Sequence, residues 1–180
     1  MQATPISFVK GPGQRYESRL HRRDGVTIAL DGGGYNRVGG PAGRIPHDLA
    51  HFVVEDELVL PFGLWGVVAA GGLFAHTAVV AGRRPPHSAR RGQAVVDRAG
   101  PRLAQAKLVV RAVADLALAG GPPDLGAFSR ALGDHGPLAG ATADRLATTC
   151  GRLRSDGARW AALEPGEAID VAWRHPEPRR

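Results

Sequence analysis

Apolar and polar positions alternate with a period of two at both ends of the chain and follow a helical period in between. In residues 16–31 the alternation runs on both sides of Asp24-Gly25, a dipeptide typical of tight hairpin turns. It returns in residues 169–173, where it predicts a final strand. These patterns indicate an α+β protein, with a mainly helical core and a small antiparallel sheet made by the N-terminal hairpin and the C-terminal strand.

Helical spacing marks several segments in the middle of the chain. The predicted helices begin at Pro46, span residues 64–75, 101–119 and 124–132, and run from 142 to 153, ending near 156–157. Residues 6–9 are expected to form an edge strand, and residues 83–92 a basic loop with two consecutive prolines. Trp160 and Trp173 are expected to pack where the last strand meets the helices.

The helix that begins at Pro46 carries a polar stripe. His47, His51 and Glu55 are four residues apart, so a rotation of about 100° per residue keeps them on one face. Asp48 lies at the edge of the same arc, and most other positions of the helix are apolar. A helix of this kind is usually buried, and buried imidazole and carboxylate groups need partners.

These residue types at this spacing predict a metal site. His47 and His51 can direct ring nitrogens at one ion, and Glu55 one turn on can supply a third ligand. Zn2+ suits this set, with Fe2+ or Mn2+ as alternatives. Asp48 would act as general base on a bound water or orient a ligand. The competing interpretation is a polar stripe that faces solvent or a loop. His76 is a further candidate ligand, although a histidine there can instead cap a helix.

The pentapeptide His47-Asp48-Leu49-Ala50-His51 resembles two groups of zinc proteins over a short stretch. It is similar to the HExxH zincins, in which a Glu general base stands where this chain has Asp48. It also resembles the HDxxH zinc proteins of ubiquinone biosynthesis. Their more distant Glu has no acidic counterpart near Gly63, so Glu55 would take its place. Either resemblance implies a zinc ion held by the two histidines.

A glycine-rich segment, residues 32–43, leads from the hairpin directly into the histidine helix. It does not fit the dinucleotide-binding or the phosphate-binding loop pattern. We expect either a flexible connector or a flap over the metal-binding face. In the second case Tyr35, Asn36 and Arg37 are the groups that would contact a substrate.

Composition narrows the class of protein without naming an activity. The chain has 180 residues, 43% of them hydrophobic and 22% charged. This fits one domain over residues 1–180, with 1–14 and 176–180 loosely ordered. The single cysteine, Cys150, allows no disulfide within the chain and is expected to be a small core residue. Since residues 1–5 show no secretory signal, a cytoplasmic setting is expected.

The chain carries a net charge of +6, concentrated in arginine clusters at residues 19–23, 83–91 and 174–180. Clusters of this size are usually solvated surface, although they permit contact with nucleic acid or an anionic substrate. Residues 58–82 are almost free of charge, but Pro and Gly interrupt them, so a buried helix is expected there rather than membrane contact.

The function predicted from these features is that of a metal-dependent enzyme, a hydrolase or lyase. It would activate water or polarise a small-molecule or peptide substrate at His47, His51 and Glu55. The alternative is a basic, non-enzymatic binding protein for nucleic acid or an acidic partner, which leaves the histidine stripe without a role. No membrane partner is expected, and the sequence does not specify the oligomeric state.

Overall fold

The computed structural model of the chain describes residues 3–32, 45–119, 124–133 and 141–175. Within them the architecture is α+β, as predicted. The five strands are β1 (Thr4–Lys10), β2 (Tyr16–His21), β3 (Thr27–Asp31), β4 (Thr77–Ala81) and β5 (Ala168–Trp173). They form one sheet in the order β4-β3-β2-β1-β5, and every neighbouring pair is antiparallel.

The predicted hairpin is confirmed. Gly25 has a φ of 79°, a left-handed value that suits glycine, and Arg22 N–H donates to the carbonyl of Val26 across the turn. This turn sets the register that pairs Leu20 with Ile28. Both of these side chains are buried, because the alternation places them on the face of the sheet that the helices cover.

Strand β1 corrects two predictions about the N-terminal part of the chain. Residues 6–9 were expected to form an edge strand, but β1 lies between β2 and β5 and pairs with both. The loose order expected for residues 1–14 is also wrong for residues 4–10, because Ile6 and Phe8 are buried in the core. The C-terminal strand, confirmed at β5, supplies the second neighbour of β1. The predicted loose end at 176–180 lies outside the described residues.

The helices cover the inner face of the sheet. They are α1 (His47–Leu58), α2 (Leu64–Ala69), α3 (Ser88–Ala99), α4 (Pro101–Leu118), α5 (Leu125–Leu132) and α6 (Ala143–Ala162). Phe52 of α1 and Trp65 of α2 make edge-to-face ring contacts with Phe8 of β1. Helix α1 also packs against α4 and α6, so it lies at the centre of the core.

The region after α1 differs from its prediction. The helix expected over residues 64–75 ends at Ala69, because Gly71 adopts a φ of 106° that a right-handed helix cannot contain. The chain then enters β4, which the sequence did not predict. His76 therefore directly precedes an edge strand instead of following a helix.

Two more helices differ in extent. The basic loop expected over residues 83–92 is partly helical, since α3 begins at Ser88. Helix α6 continues to Ala162 instead of ending near residues 156–157, and the buried carboxylate of Asp156 is paired with Arg152 and Arg159. Trp160 and Trp173 are both buried, as expected, against Tyr16 and Phe52. No helix among the described residues is both long and apolar enough to cross a membrane.

Candidate functional site

Helix α1 brings the predicted histidines together. His47 and His51 lie on consecutive turns, with ring centroids 4.2 Å apart and ring planes at 73°. The exposed fractions of His51 and Glu55 are 1% and 0%. The helix is thus buried as predicted, and its polar groups find their partners inside the protein.

Glu55 is the most completely bonded carboxylate of the site. Its Oε1 accepts hydrogen bonds from His51 Nδ1 at 2.7 Å and from the N–H of Leu64 at 2.7 Å. Its Oε2 accepts from the N–H of Trp65 at 2.9 Å. The carboxylate therefore satisfies two N–H groups at the start of α2, where a negative charge also interacts favourably with the helix dipole. Gly63 makes this approach possible, because a Cβ there would overlap the carboxylate.

Asp48 forms a second buried carboxylate–histidine pair. Its Oδ1 accepts from His47 Nδ1 at 3.2 Å, and its Oδ2 accepts from Ser18 Oγ at 2.8 Å. Burial, together with the charge of Asp48, raises the pKa of Tyr16. The indole N–H of Trp65 donates to the Asp48 carbonyl at 2.8 Å, which fixes α2 against α1.

These hydrogen bonds determine which nitrogen of each imidazole ring carries a proton. An ionised carboxylate can only accept, so the proton at Nδ1 of each imidazole lies on the side of its carboxylate. Burial lowers the pKa of His47, and electrostatic interactions with His51 and Lys107 add to this effect while Asp48 opposes it. A neutral His47 with its proton on Nδ1 has an unprotonated Nε2, which is the atom that can bind a metal or accept a proton.

A small cavity of about 60 Å3 connects these histidines with His76. It is lined by His47, His51, Leu64, Phe74, His76, Leu103 and Lys107. The ring of His76 stacks on Phe74, with centroids 6.0 Å apart and planes at 9°. Because Nδ1 of His47 and of His51 is engaged, Nε2 is the nitrogen that each of these rings has left for a ligand.

The arrangement fits a metal in part. Across the described ranges, no three His, Cys, Asp or Glu side chains are grouped closely enough to hold an ion. Glu55, predicted as the third ligand, has its oxygens in hydrogen bonds to His51 and α2. The nitrogen donors of the cavity are His47 and His51, with His76 also in its wall. Bound Zn2+ stays a prediction.

The remaining predictions for individual residues have different outcomes. Asp48 is only 4% exposed and bonded to Ser18 and His47, which suits an orienting group better than a base open to substrate. Tyr35, Asn36 and Arg37 lie outside the described residues. Cys150 is fully buried, and burial raises the pKa of its thiol, which agrees with the expected core role.

The sequence did not point to the partners of the two carboxylates. Ser18 could have been found, since alternation in β2 places a polar side chain between Tyr16 and Leu20 on the buried face. The partners of Glu55 in α2 are main-chain N–H groups, which leave no signature in the residue types. Lys107 comes from α4, far along the chain, and only the fold brings it to the cavity.

Comparison of the chain with protein-family models, with curated proteins and with solved structures gives no match. The chemistry of the histidine cavity therefore rests on its own geometry.

Proposed function

We propose that the histidine cavity binds a divalent transition metal through Nε2 of His47 and His51, and that the protein is a metal-dependent hydrolase or lyase. The observation that supports this most is the pair of carboxylate–histidine contacts beside one cavity. Metal-binding histidines commonly donate their second ring nitrogen to a carboxylate, which fixes the ring and makes it a stronger ligand.

In this proposal both carboxylates orient ligands instead of binding the ion. Glu55 holds His51, and Asp48 holds His47 while Ser18 holds Asp48. Their negative charges offset the charge of the ion. His76 lines the same cavity and is the candidate third donor, but its ring would have to move closer to those of His47 and His51 to share an ion with them. Three histidines are a known ligand set for catalytic zinc.

A metal bound here would lower the pKa of a coordinated water to about 7 and polarise a carbonyl or phosphoryl oxygen. Lys107 supplies a positive charge beside the cavity for an anionic group of the substrate. The cavity volume is about 60 Å3, so we expect most of a small molecule or peptide to lie outside it. Tyr35, Asn36 and Arg37 keep their predicted role in contacting that part.

A metal-free structural role is the competing proposal. It is favoured by the complete hydrogen bonding of Glu55, which ties α1 to the start of α2 whether or not an ion is present. In that case His51 would serve only as the partner of a buried carboxylate. The two proposals differ in what happens to Nε2, which the structural role does not use.

The test is zinc affinity measured by competition with a chelator at fixed pH, since protons compete for the imidazoles. We expect His47→Ala and His51→Ala to abolish tight binding and His76→Ala to weaken it. Glu55→Gln keeps most of the shape, removes the charge behind His51, and should lower affinity by about tenfold or more. Asp48→Asn likewise removes the charge behind His47, so it should also lower zinc affinity, and metal-dependent turnover on a panel of nitrophenyl esters and phosphates should fall with it.

Two control variants sharpen this test. Glu57→Gln removes a charge from the same helix, but Glu57 binds Arg152 at 2.7 Å and faces away from the cavity, so affinity should hardly change. His87→Ala removes an exposed histidine elsewhere. Equal losses in Glu55→Gln and Glu57→Gln would mean that general charge holds the ion. Zinc binding unaffected by His47→Ala and His51→Ala would refute the site.

A further inference from the structure

Three arginine-rich segments that are far apart in sequence meet at one end of the sheet. The β2–β3 turn and the chain after β4 lie there, because His21 pairs with Thr27 and Thr27 with Ala81. The end of β5 lies there too, because Trp173 pairs with Thr4 at the start of β1, next to the end of β2. Helix α3 begins close by at Ser88. The antiparallel topology, which local sequence does not reveal, therefore gathers residues 22–24, 83–92 and 174–175.

This end of the sheet holds an exceptional concentration of positive charge. Seven arginines lie in the three segments: Arg22, Arg23, Arg83, Arg84, Arg90, Arg91 and Arg174. Asp24 is the only carboxylate in these segments, so they carry a balance of +6, equal to the net charge of the whole chain. The whole chain has 23 basic and 17 acidic residues, so 16 of each lie outside these segments and their charges cancel. The protein is thus neutral apart from this surface.

The surface is concave. Two cavities of about 280 and 360 Å3 share Arg22, Asp24 and Ala70 in their walls, so they lie side by side and are treated together as one groove. Arg23 and His175 line the first cavity, and Arg91 lines the second. We call this the arginine groove. It has no lining residue in common with the histidine cavity.

The guanidinium groups of the arginine groove are largely uncompensated. Arg22 is paired with Asp24, and Arg91 donates to the carbonyl of Pro86 at 2.7 Å. Arg23, in the wall of the groove, is exposed and has no ion pair within the described ranges. The same holds for Arg174, which lines neither cavity but lies in the chain between the lining residues Trp173 and His175. Elsewhere, exposed arginines such as Arg111, Arg130 and Arg159 each lie beside a carboxylate. Gathering like charges without counter-charges opposes folding, which indicates that an external anion completes the surface.

We propose that the arginine groove binds the phosphodiester backbone of nucleic acid. Guanidinium groups match phosphate oxygens with paired donors, and the spread of charge over three segments suits a chain of phosphates better than a single anion. Trp173 in the wall is only 2% exposed and cannot stack on a base. The other ring of the wall, His175, packs on Trp173 and is hydrogen-bonded to Asp56. Binding should therefore depend on charge and salt and show little preference for base sequence.

The test is fluorescence anisotropy with a labelled oligothymidylate of about 20 nucleotides. The groove variant removes one charge from each segment: Arg23→Gln, Arg91→Gln and Arg174→Gln. The control variant, Arg111→Gln, Arg130→Gln and Arg159→Gln, lowers net charge equally on other faces. At about 50 mM salt the groove variant should lose at least about tenfold in affinity, and its slope of log K against log salt should be shallower by about 2. The control should stay within about twofold of wild type.

Two results would overturn this proposal. Equal losses in both triple variants would mean that net charge, not the arginine groove, attracts the oligonucleotide. Failure of wild type to bind the oligonucleotide, while it binds polyglutamate or phosphatidylserine vesicles, would assign the groove to an acidic protein or a lipid surface. Circular dichroism should show both variants folded, because all six substituted side chains are exposed. A protein that binds no zinc would leave these outcomes unchanged.

Discussion

The histidine cavity and the arginine groove represent opposite ways of placing charge in one small protein. Around the histidine cavity, Asp48, His51 and Glu55 are buried and hydrogen-bonded. In the arginine groove and beside it, Arg23 and Arg174 are exposed and lack ion pairs across the described part of the chain. Buried charges are costly unless partnered, so the first site is bound up with the stability of the fold. The second adds little to the fold, so its charges call for a partner outside the chain.

This contrast predicts the largest loss of stability for Glu55→Ala. The change leaves His51 Nδ1 and the N–H groups of Leu64 and Trp65 without their acceptor, which should cost about 3–5 kcal/mol of unfolding free energy. Urea denaturation measures it. Glu57→Ala is the control, since Glu57 is partly exposed and Arg152 keeps its bond to Asp56. It should cost under about 1 kcal/mol. Similar losses would remove the distinction between the two carboxylates.

A smaller loss is expected for Gly63→Ala. The new Cβ would overlap the Glu55 carboxylate and force it away from α2, at a cost of about 1–3 kcal/mol. Gly151→Ala on α6 is the matched control, because nothing lies within 4 Å of a Cβ there. Alanine in a helix interior should raise stability by about 0.5–1 kcal/mol. Thermal and urea unfolding of the two variants should therefore move in opposite directions, and equal shifts would contradict the crowding at Gly63.

Protonation of His47 should lower the stability of the fold in acid. Burial lowers the pKa of His47 below its ordinary value of 6.5, so the unfolded chain binds a proton more readily than the folded chain. Unfolding free energy should thus fall as pH drops below 6.5, with no contribution from His47 above it. His47→Gln removes this contribution, and the loss of stability between pH 7 and pH 5 should shrink. An unchanged pH dependence would mean that His47 is as easily protonated in the folded state.

The smallest effect on stability is expected in the arginine groove. The triple variant at Arg23, Arg91 and Arg174 should change the unfolding free energy by no more than about 0.5 kcal/mol. The direction should be upward at low salt, because repulsion between like charges is relieved. Urea denaturation at low and high salt measures this difference. A loss of 2 kcal/mol or more, of the order of a buried contact, would show that these arginines support the fold.

Local patterns predicted those parts of the fold that depend on neighbouring residues. The hairpin around Gly25, the buried helix with His47 and His51 on one face, and a strand over residues 169–173 are all present. They depend on turn chemistry and on hydrophobic period, which a single sequence displays. The C-terminal strand was expected beside the hairpin but pairs with β1 instead. Strand β4 was missed because its Thr-Ala-Val-Val-Ala run does not alternate and is held by β3 alone.

The chemistry of both sites depends on contacts that local patterns cannot display. Glu55 bonds main-chain N–H groups nine and ten residues further on, and those donors are present at any residue type except proline. The arginine clusters were interpreted separately as solvated surface, because nothing within each cluster reveals the other two. Only the strand order brings Arg23, Arg91 and Arg174 to one end of the sheet.

The proposed role of the histidine cavity is tested most directly by a long-range 1H–15N spectrum of the histidine rings, recorded near neutral pH with and without Zn2+. His51→Gln and His47→Gln assign the resonances. The metal proposal predicts that both rings carry their proton on Nδ1, towards Glu55 and Asp48, and that zinc shifts the unprotonated Nε2 resonances of both. Rings that are unchanged by zinc, with His51 protonated on both nitrogens, would contradict it. His51 would then be only the buried partner of Glu55.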